Sequence, residues 1–158
     1  MLLGNYFHKI NKNHKNFSFS GISFDTKSIK KNHIFFAIKG NSIDGNKFIS
    51  TAIKKGSKII VTEKKMNLLK NGILYIHTKN IRKLLAETAF KIYNKQPKNL
   101  IAVTGTNGKS SVTDFYYQIL KLNNQKVASI GTLGVKSKNI NLNLSNTTIN
   151  PIKLAQIL

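Results

Sequence analysis

The sequence predicts an α/β fold in two successive pieces, on three observations. Short, nearly continuous apolar runs recur with amphipathic stretches between them. A polar segment at 94–99, containing Pro97, breaks that alternation between a helical pattern and an apolar run. Beyond it, a Gly-rich turn joins an apolar run directly to a second helical pattern. The first piece, 1–98, is expected to be a small α/β domain. The second, 99–158, reads as a strand, turn, helix and strand, the opening of a parallel sheet. Two strands cannot cover both faces of such a sheet, so the sequence is expected to stop inside its second domain.

Each element has a local reason. Strands are predicted over 19–24, 33–38, 57–62, 73–77, 100–104 and 127–130, where Ile, Val and Phe run together between polar or Gly punctuation. A helix over 44–55 places Phe48, Ala52 and Ile53 on one side. Asn80 is placed to cap a helix whose Ile81, Leu84, Leu85, Ala89 and Ile92 recur at helical spacing. A third helix over 109–122 aligns Val112, Phe115, Tyr116, Ile119 and Leu120, a stripe expected to be core. No internal repeat interrupts this order.

Composition narrows the function classes. The 158 residues contain 26 Lys plus Arg against 5 Asp plus Glu, a net charge of +21, and no Cys. Without Cys there is no thiolate nucleophile, disulfide framework or cysteine metal site, which fits a reducing cytoplasm. The first residues lack a secretory pattern, and the apolar runs, about five residues long, fall far short of the ~20 that cross a bilayer, so a soluble protein is expected. The charge invites a nucleic-acid reading. Its distribution argues against one: the Lys residues are scattered, and Arg82 is the single Arg, although Arg is the side chain best shaped to fork onto phosphates. Twenty Asn and 21 Ile beside 25 Lys match A/T-rich codon usage, which makes the charge partly a by-product of composition. His8, His14, His33 and His77 have no metal-ligand spacing.

The segment carrying the sharpest chemistry is Leu100-Ile101-Ala102-Val103-Thr104-Gly105-Thr106-Asn107-Gly108-Lys109-Ser110-Ser111. An apolar run entering a Gly-rich turn and then a helix is phosphate-binding architecture. The glycines bring backbone N–H groups close to the anion, and the positive end of the helix adds to the field. Lys109 would reach the β- and γ-phosphates, and the Ser110 hydroxyl would hold Mg²⁺. Gly105, Thr106, Asn107, Gly108, Lys109, Ser110 and Ser111 are therefore the candidate ATP site. Two residues separate Gly105 from Gly108 where the general motif has four.

That shortened Thr-Gly-Thr-Asn-Gly-Lys-Ser loop resembles the ATP-binding loop of the Mur ligases, the ATP-dependent amide ligases of peptidoglycan assembly. Other segments agree in order: Gly21-Ile22-Ser23-Phe24-Asp25-Thr26-Lys27, then Ile34-Phe35-Phe36-Ala37, Gly40 and Asp44-Gly45 in the first domain. Ile130-Gly131-Thr132-Leu133-Gly134 and Asn146-Thr147-Thr148 resemble elements of the tripeptide-forming branch of the family. Lys27 stands where Arg is usual, Asn32-His33 replaces a Gly-Asp turn, and Ser110 replaces Thr.

The resemblance implies a UDP-binding first domain and an ATP-binding second one. It implies that Phe24, Thr26, Asn41, Ser42 and Ile43 line the site for the UDP end of a UDP-sugar substrate, and that Asn146, Thr147 and Thr148 contact its muramoyl-peptide part. It also implies ATP as cosubstrate, Mg²⁺ as cofactor, and a diamino acid added to UDP-MurNAc-L-Ala-D-Glu through an acyl phosphate. Further acidic metal ligands, a carbamylated Lys and a domain for the amino acid would lie beyond Leu158, so these residues alone are expected to be inactive. The rival readings are a dipeptide-adding Mur ligase, a folate polyglutamate synthetase, which the Asp25-Thr26 region disfavours, and a basic nucleic-acid-binding module.

Overall fold

The computed structural model describes residues 1–7, 10–41, 43–65, 69–94, 96–143 and 149–158. It divides into two compact units, Met1–Asn94 and Lys95–Leu158. The break falls at the start of the predicted linker, four residues before the expected boundary at 98.

The first unit is built on a five-stranded sheet. Strands β1 (Gly21–Ser23), β2 (His33–Phe36), β3 (Ile59–Thr62) and β5 (Ile73–His77) are parallel neighbours in that order, and β4 (Leu69–Lys70) pairs antiparallel with β5 at the edge. The central strands are buried along their whole inner length, as a sheet covered on both faces requires. Phe35, Ile60 and Tyr75 pack with Ile29, Ala37 and Ala52, and Ile49, Ile53 and Ile73 extend the cluster. Alternation along the strands sends Ile34, Phe36, Ile59, Val61 and Leu74 to the other face.

The predicted helix at 44–55 forms as two pieces, a 3-10 helix at Gly45–Phe48 and α1 at Ile49–Lys54. Asp44 is the reason for the tight first turn, since its side chain accepts from the Asn46 N–H. Helix α2 (Ile81–Ile92) starts where predicted: Asn80 Oδ1 accepts from Lys83 N–H at 2.9 Å, and Glu63 Oε1 accepts from Ile81 N–H at 3.1 Å.

The second unit departs from expectation. Residues 100–104 form no strand, and Leu100 and Ile101 are exposed, because no described segment offers them a ladder partner. The sheet that does form is antiparallel: β6 (Ala128–Gly131), β7 (Gly134–Ser137) and β8 (Asn141–Leu142). The two-residue turn at Thr132 and Leu133 gives β6 a local neighbour in place of the parallel one predicted. Helix α3 (Lys109–Leu122) lies where expected, yet its apolar stripe is uncovered within the described residues. Phe115 is 63% exposed and Ile119 58%, with Val112 and Tyr116 also open, while Tyr117 is buried. Helix α4 (Pro151–Ile157), absent from the sequence reading, begins at an Asn150 cap. No described helix is long and apolar enough to cross a membrane.

Candidate functional site

Two constellations stand out, one in each unit. In the first, the turn after β2 is held from several sides. Gly40 N–H donates to Ile43 carbonyl at 2.9 Å, and Lys39 and Asp44 form an isolated bridge. Arg82 Nη2 donates to the Lys39 carbonyl at 3.2 Å, tying α2 to the start of the turn. Asn46 closes the other end: its Nδ2 donates to Asp44 Oδ1 at 2.7 Å, and its Oδ1 accepts from Thr62 Oγ1 at 2.8 Å. Hydrogen bonds from the Asn46 side chain first and its amide second hold the Asp44 carboxyl below its usual range. Lys64 and Lys39 act in the same direction, and partial desolvation opposes them.

Phe24 directly follows β1, and Asn41 and Ile43 lie in the turn after β2. These predicted substrate residues therefore leave the carboxyl ends of adjacent parallel strands, the edge where open α/β sheets bind ligands. Phe24 and Thr26 are half-buried, whereas Asn41 and Ile43 are exposed. The Thr26 carbonyl accepts from Lys55 Nζ at 2.7 Å, which fixes the backbone there and leaves the hydroxyl unassigned. Ser42, Asn146, Thr147 and Thr148 lie outside the described residues.

In the second unit the predicted loop, Gly105 to Ser111, runs exposed into α3. Gly108 is the N-cap with φ 77°, a left-handed conformation, and no side chain caps the helix. The first-turn amides are thus left for an external acceptor. Lys109 folds back over this turn, its Nζ donating to the carbonyls of Gly105 at 2.5 Å and Thr106 at 3.1 Å. Both partners are neutral backbone carbonyls, which a fully charged incoming phosphate can replace.

Beside the loop, α3 and the β6–β7 hairpin enclose a cleft of about 200 Å³, lined by Lys109, Ser110, Asp114, Thr132 and Lys136 among others. Ser110 Oγ and Thr132 Oγ1 are 2.8 Å apart, and Lys136 Nζ lies 3.4 Å from Asp114 Oδ1. Ser110 and Thr132 bring hydroxyl oxygens to the cleft, the chemistry a hard cation such as Mg²⁺ accepts, while the Asp114 oxygens are engaged by Lys136 and Gln118 and the Lys109 ammonium lines the same space. Among the described residues no three His, Asp or Glu side chains converge, so a cation here would complete its shell with phosphate oxygens and water. The sequence reading named Ser110 as a site residue, quoted Thr132 only within the Ile130–Gly134 element, and did not name Asp114 or Lys136. The Gly131-Thr132-Leu133-Gly134 pattern was the available signal for Thr132.

The profile described as Mur ligase family, catalytic domain, matches residues 18–103, and that of the Mur ligase middle domain matches 103–158. A UDP-N-acetylmuramoyl-L-alanyl-D-glutamate--2,6-diaminopimelate ligase of Rickettsia montanensis is 46% identical over 116 residues, covering 73% of this chain and 24% of that protein. The ligases of the same name from Rickettsia prowazekii (strain Madrid E) and Clostridium tetani (strain Massachusetts / E88) are 41% and 47% identical. They cover 82% and 71% of this chain, and 26% and 24% of their own lengths. The chain thus spans about a quarter of the length of the curated relatives it matches. A solved structure of a ligase with that name superposes with a TM-score of 0.77 at 21% identity, over 98% of this chain and 32% of the other. MurF ligase from Thermotoga maritima, solved in complex with ADP, gives 0.57 at 23% identity, over 85% and 28%. At these identities the two structures establish the fold.

Proposed function

The chain belongs to the Mur ligase family, and on that premise we propose that it supplies the nucleotide-handling parts of an ATP-dependent amide ligase of peptidoglycan precursor synthesis. The acceptor is UDP-MurNAc-L-Ala-D-Glu and the incoming amine a diamino acid; the relatives' names point to 2,6-diaminopimelate. Residues 1–98 are assigned to the UDP-sugar domain and 99–158 to the ATP-binding domain. The protein works in the cytoplasm.

The observation that carries this reading is the start of α3. A left-handed Gly108 cap, open first-turn amides, and the Lys109 ammonium and Ser110 hydroxyl on one turn make a receptor for a polyphosphate. In the reaction, an oxygen of the D-Glu carboxylate attacks the γ-phosphorus of ATP and ADP leaves. The amine then attacks the acyl phosphate, phosphate leaves, and the nitrogen loses a proton. Lys109 and the loop amides hold the phosphates in place and offset developing charge. Mg²⁺, when bound at Ser110, supplies further charge neutralisation on the β- and γ-phosphates. Phe24, Thr26 and the 41–43 turn hold the UDP end, with Ile43 an apolar surface for the base. Asn146, Thr147 and Thr148 are assigned to the peptide end on family resemblance alone.

The test is calorimetric titration of UDP-MurNAc-L-Ala-D-Glu and, separately, of Mg-ATP into the 158-residue chain. Thr26→Val with Ile43→Ser is expected to weaken the UDP-substrate about three- to tenfold, as loss of a hydrogen bond and an apolar contact implies, without altering ATP affinity. Equal UDP-substrate affinity in the variant rejects the assignment.

A further inference from the structure

We infer that Thr132 is a positioning residue for the Ser110 hydroxyl, and that the β6–β7 hairpin is the second wall of the nucleotide site. The inference rests on the ATP-binding reading of the 105–111 loop. Ser110 stands in the first turn of α3, and Thr132 sits 22 residues on, in the turn between β6 and β7. Their hydroxyl oxygens meet at 2.8 Å on the wall of the cleft that Lys109 also lines.

The hairpin is placed firmly enough for this contact to be specific. Its last pair is Gly131 with Gly134, which leaves Thr132 and Leu133 as the whole turn. Gly134 has φ 93°, and a Cβ there would collide with the Leu142 carbonyl oxygen, so β8 presses directly on the end of the turn. On the other side, Lys136 pairs with Asp114, one helical turn beyond Ser110, while Gln118 Nε2 donates to the second Asp114 oxygen. The carboxylate is thereby fixed between helix and hairpin.

The chemistry gives the contact a purpose. A serine hydroxyl has one proton and two lone pairs and rotates freely, and a cation accepts only a lone pair. With Ser110 as donor and Thr132 Oγ1 as acceptor, the direction we assign to this hydroxyl pair, the rotor is pinned and the Ser110 lone pairs are turned into the cleft. Valine at 132 keeps the shape of threonine and loses the acceptor. Serine keeps the acceptor.

The experiment measures ATP affinity of the full 158-residue chain in Mg²⁺ and again in EDTA, for wild type, Thr132→Val, Thr132→Ser and Lys109→Ala. Thr132→Val is expected to weaken binding about three- to tenfold in Mg²⁺, the scale of one hydrogen bond, with little change in EDTA. Thr132→Ser is expected to restore the wild-type value. Unchanged affinity of Thr132→Val in Mg²⁺, an equal loss in EDTA, or no recovery in Thr132→Ser overturns the inference. Lys109→Ala reads the underlying assignment separately. Affinity indifferent to that change overturns the ATP reading and this inference together, whereas a loss there beside wild-type behaviour of Thr132→Val overturns this inference alone.

Discussion

The Thr62 hydroxyl donates to Asn46 Oδ1 at 2.8 Å, joining the end of β3 to the turn that follows β2. Thr62 is fully buried and also accepts from Lys64 N–H at 3.1 Å, so one hydroxyl serves two partners. Through Asn46 and Asp44 this contact fixes the end of the 40–43 turn, where the UDP-substrate residues are assigned.

Thr62→Val should therefore cost more than an exposed substitution. Valine fills the same space and leaves the partly buried Asn46 oxygen and the Lys64 N–H without this partner, a cost of about 0.5–1.5 kcal/mol per lost bond. Urea unfolding followed by circular dichroism measures it, and an unchanged midpoint would show that the Asn46 bond adds nothing.

Acid should destabilise the first unit in two windows. Burial, and then the nearby charge of Lys30, lower the His33 pKa below its usual 6.5, so the folded state favours the neutral ring. The unfolded chain binds the proton more readily. Stability is complete above 6.5 and falls as pH drops below it through the folded value. Asp44, lowered from 3.8, contributes stability above that value that is lost as pH falls through its folded pKa. Thermal unfolding from pH 8 to pH 5 should lose its slope in His33→Gln; an identical slope in the variant contradicts this account.

Gly108→Ala tests the left-handed cap by itself. A Cβ at 108 meets nothing within 4 Å, so the strain comes from the backbone alone and amounts to about 1–2 kcal/mol. A urea midpoint equal to that of wild type would mean the loop is not held at this φ.

Phe115→Ser with Ile119→Ser tests the open face of α3. Both side chains are mostly solvent-exposed, so the double variant should keep its stability within about 0.5 kcal/mol per site. It should bind less of a hydrophobic dye such as ANS. A large stability loss would place these residues in a packed interior.

Much of the first unit is legible in sequence because its signals are local. The Ile34-Phe35-Phe36 and Ile59-Ile60-Val61 runs are strands, and Asn80 caps α2 as its side chain predicts. Two further signals were present and went unread. Asn71-Gly72, both at positive φ, make the two-residue hairpin joining β4 to β5, and Asn150-Pro151 is a cap and first-turn pair opening α4. The α3 stripe shows a limit of periodicity, which marks a face that gains from burial and is silent on what covers it. At the nucleotide loop, Lys109 and Ser110 could be read from spacing. Thr132 could not be placed with them, because the link between positions 22 residues apart comes from the hairpin fold.

The most direct measurement is the Mg-ATP affinity of Lys109→Ala beside wild type, with UDP-MurNAc-L-Ala-D-Glu affinity as the internal control. Removing the ammonium deletes charge-assisted bonds of about 1.5–3 kcal/mol, so ATP binding should weaken roughly ten- to a hundredfold while the UDP-substrate is held as before. Unchanged ATP affinity would contradict the assignment of this loop, and with it the ligase reading of the second unit.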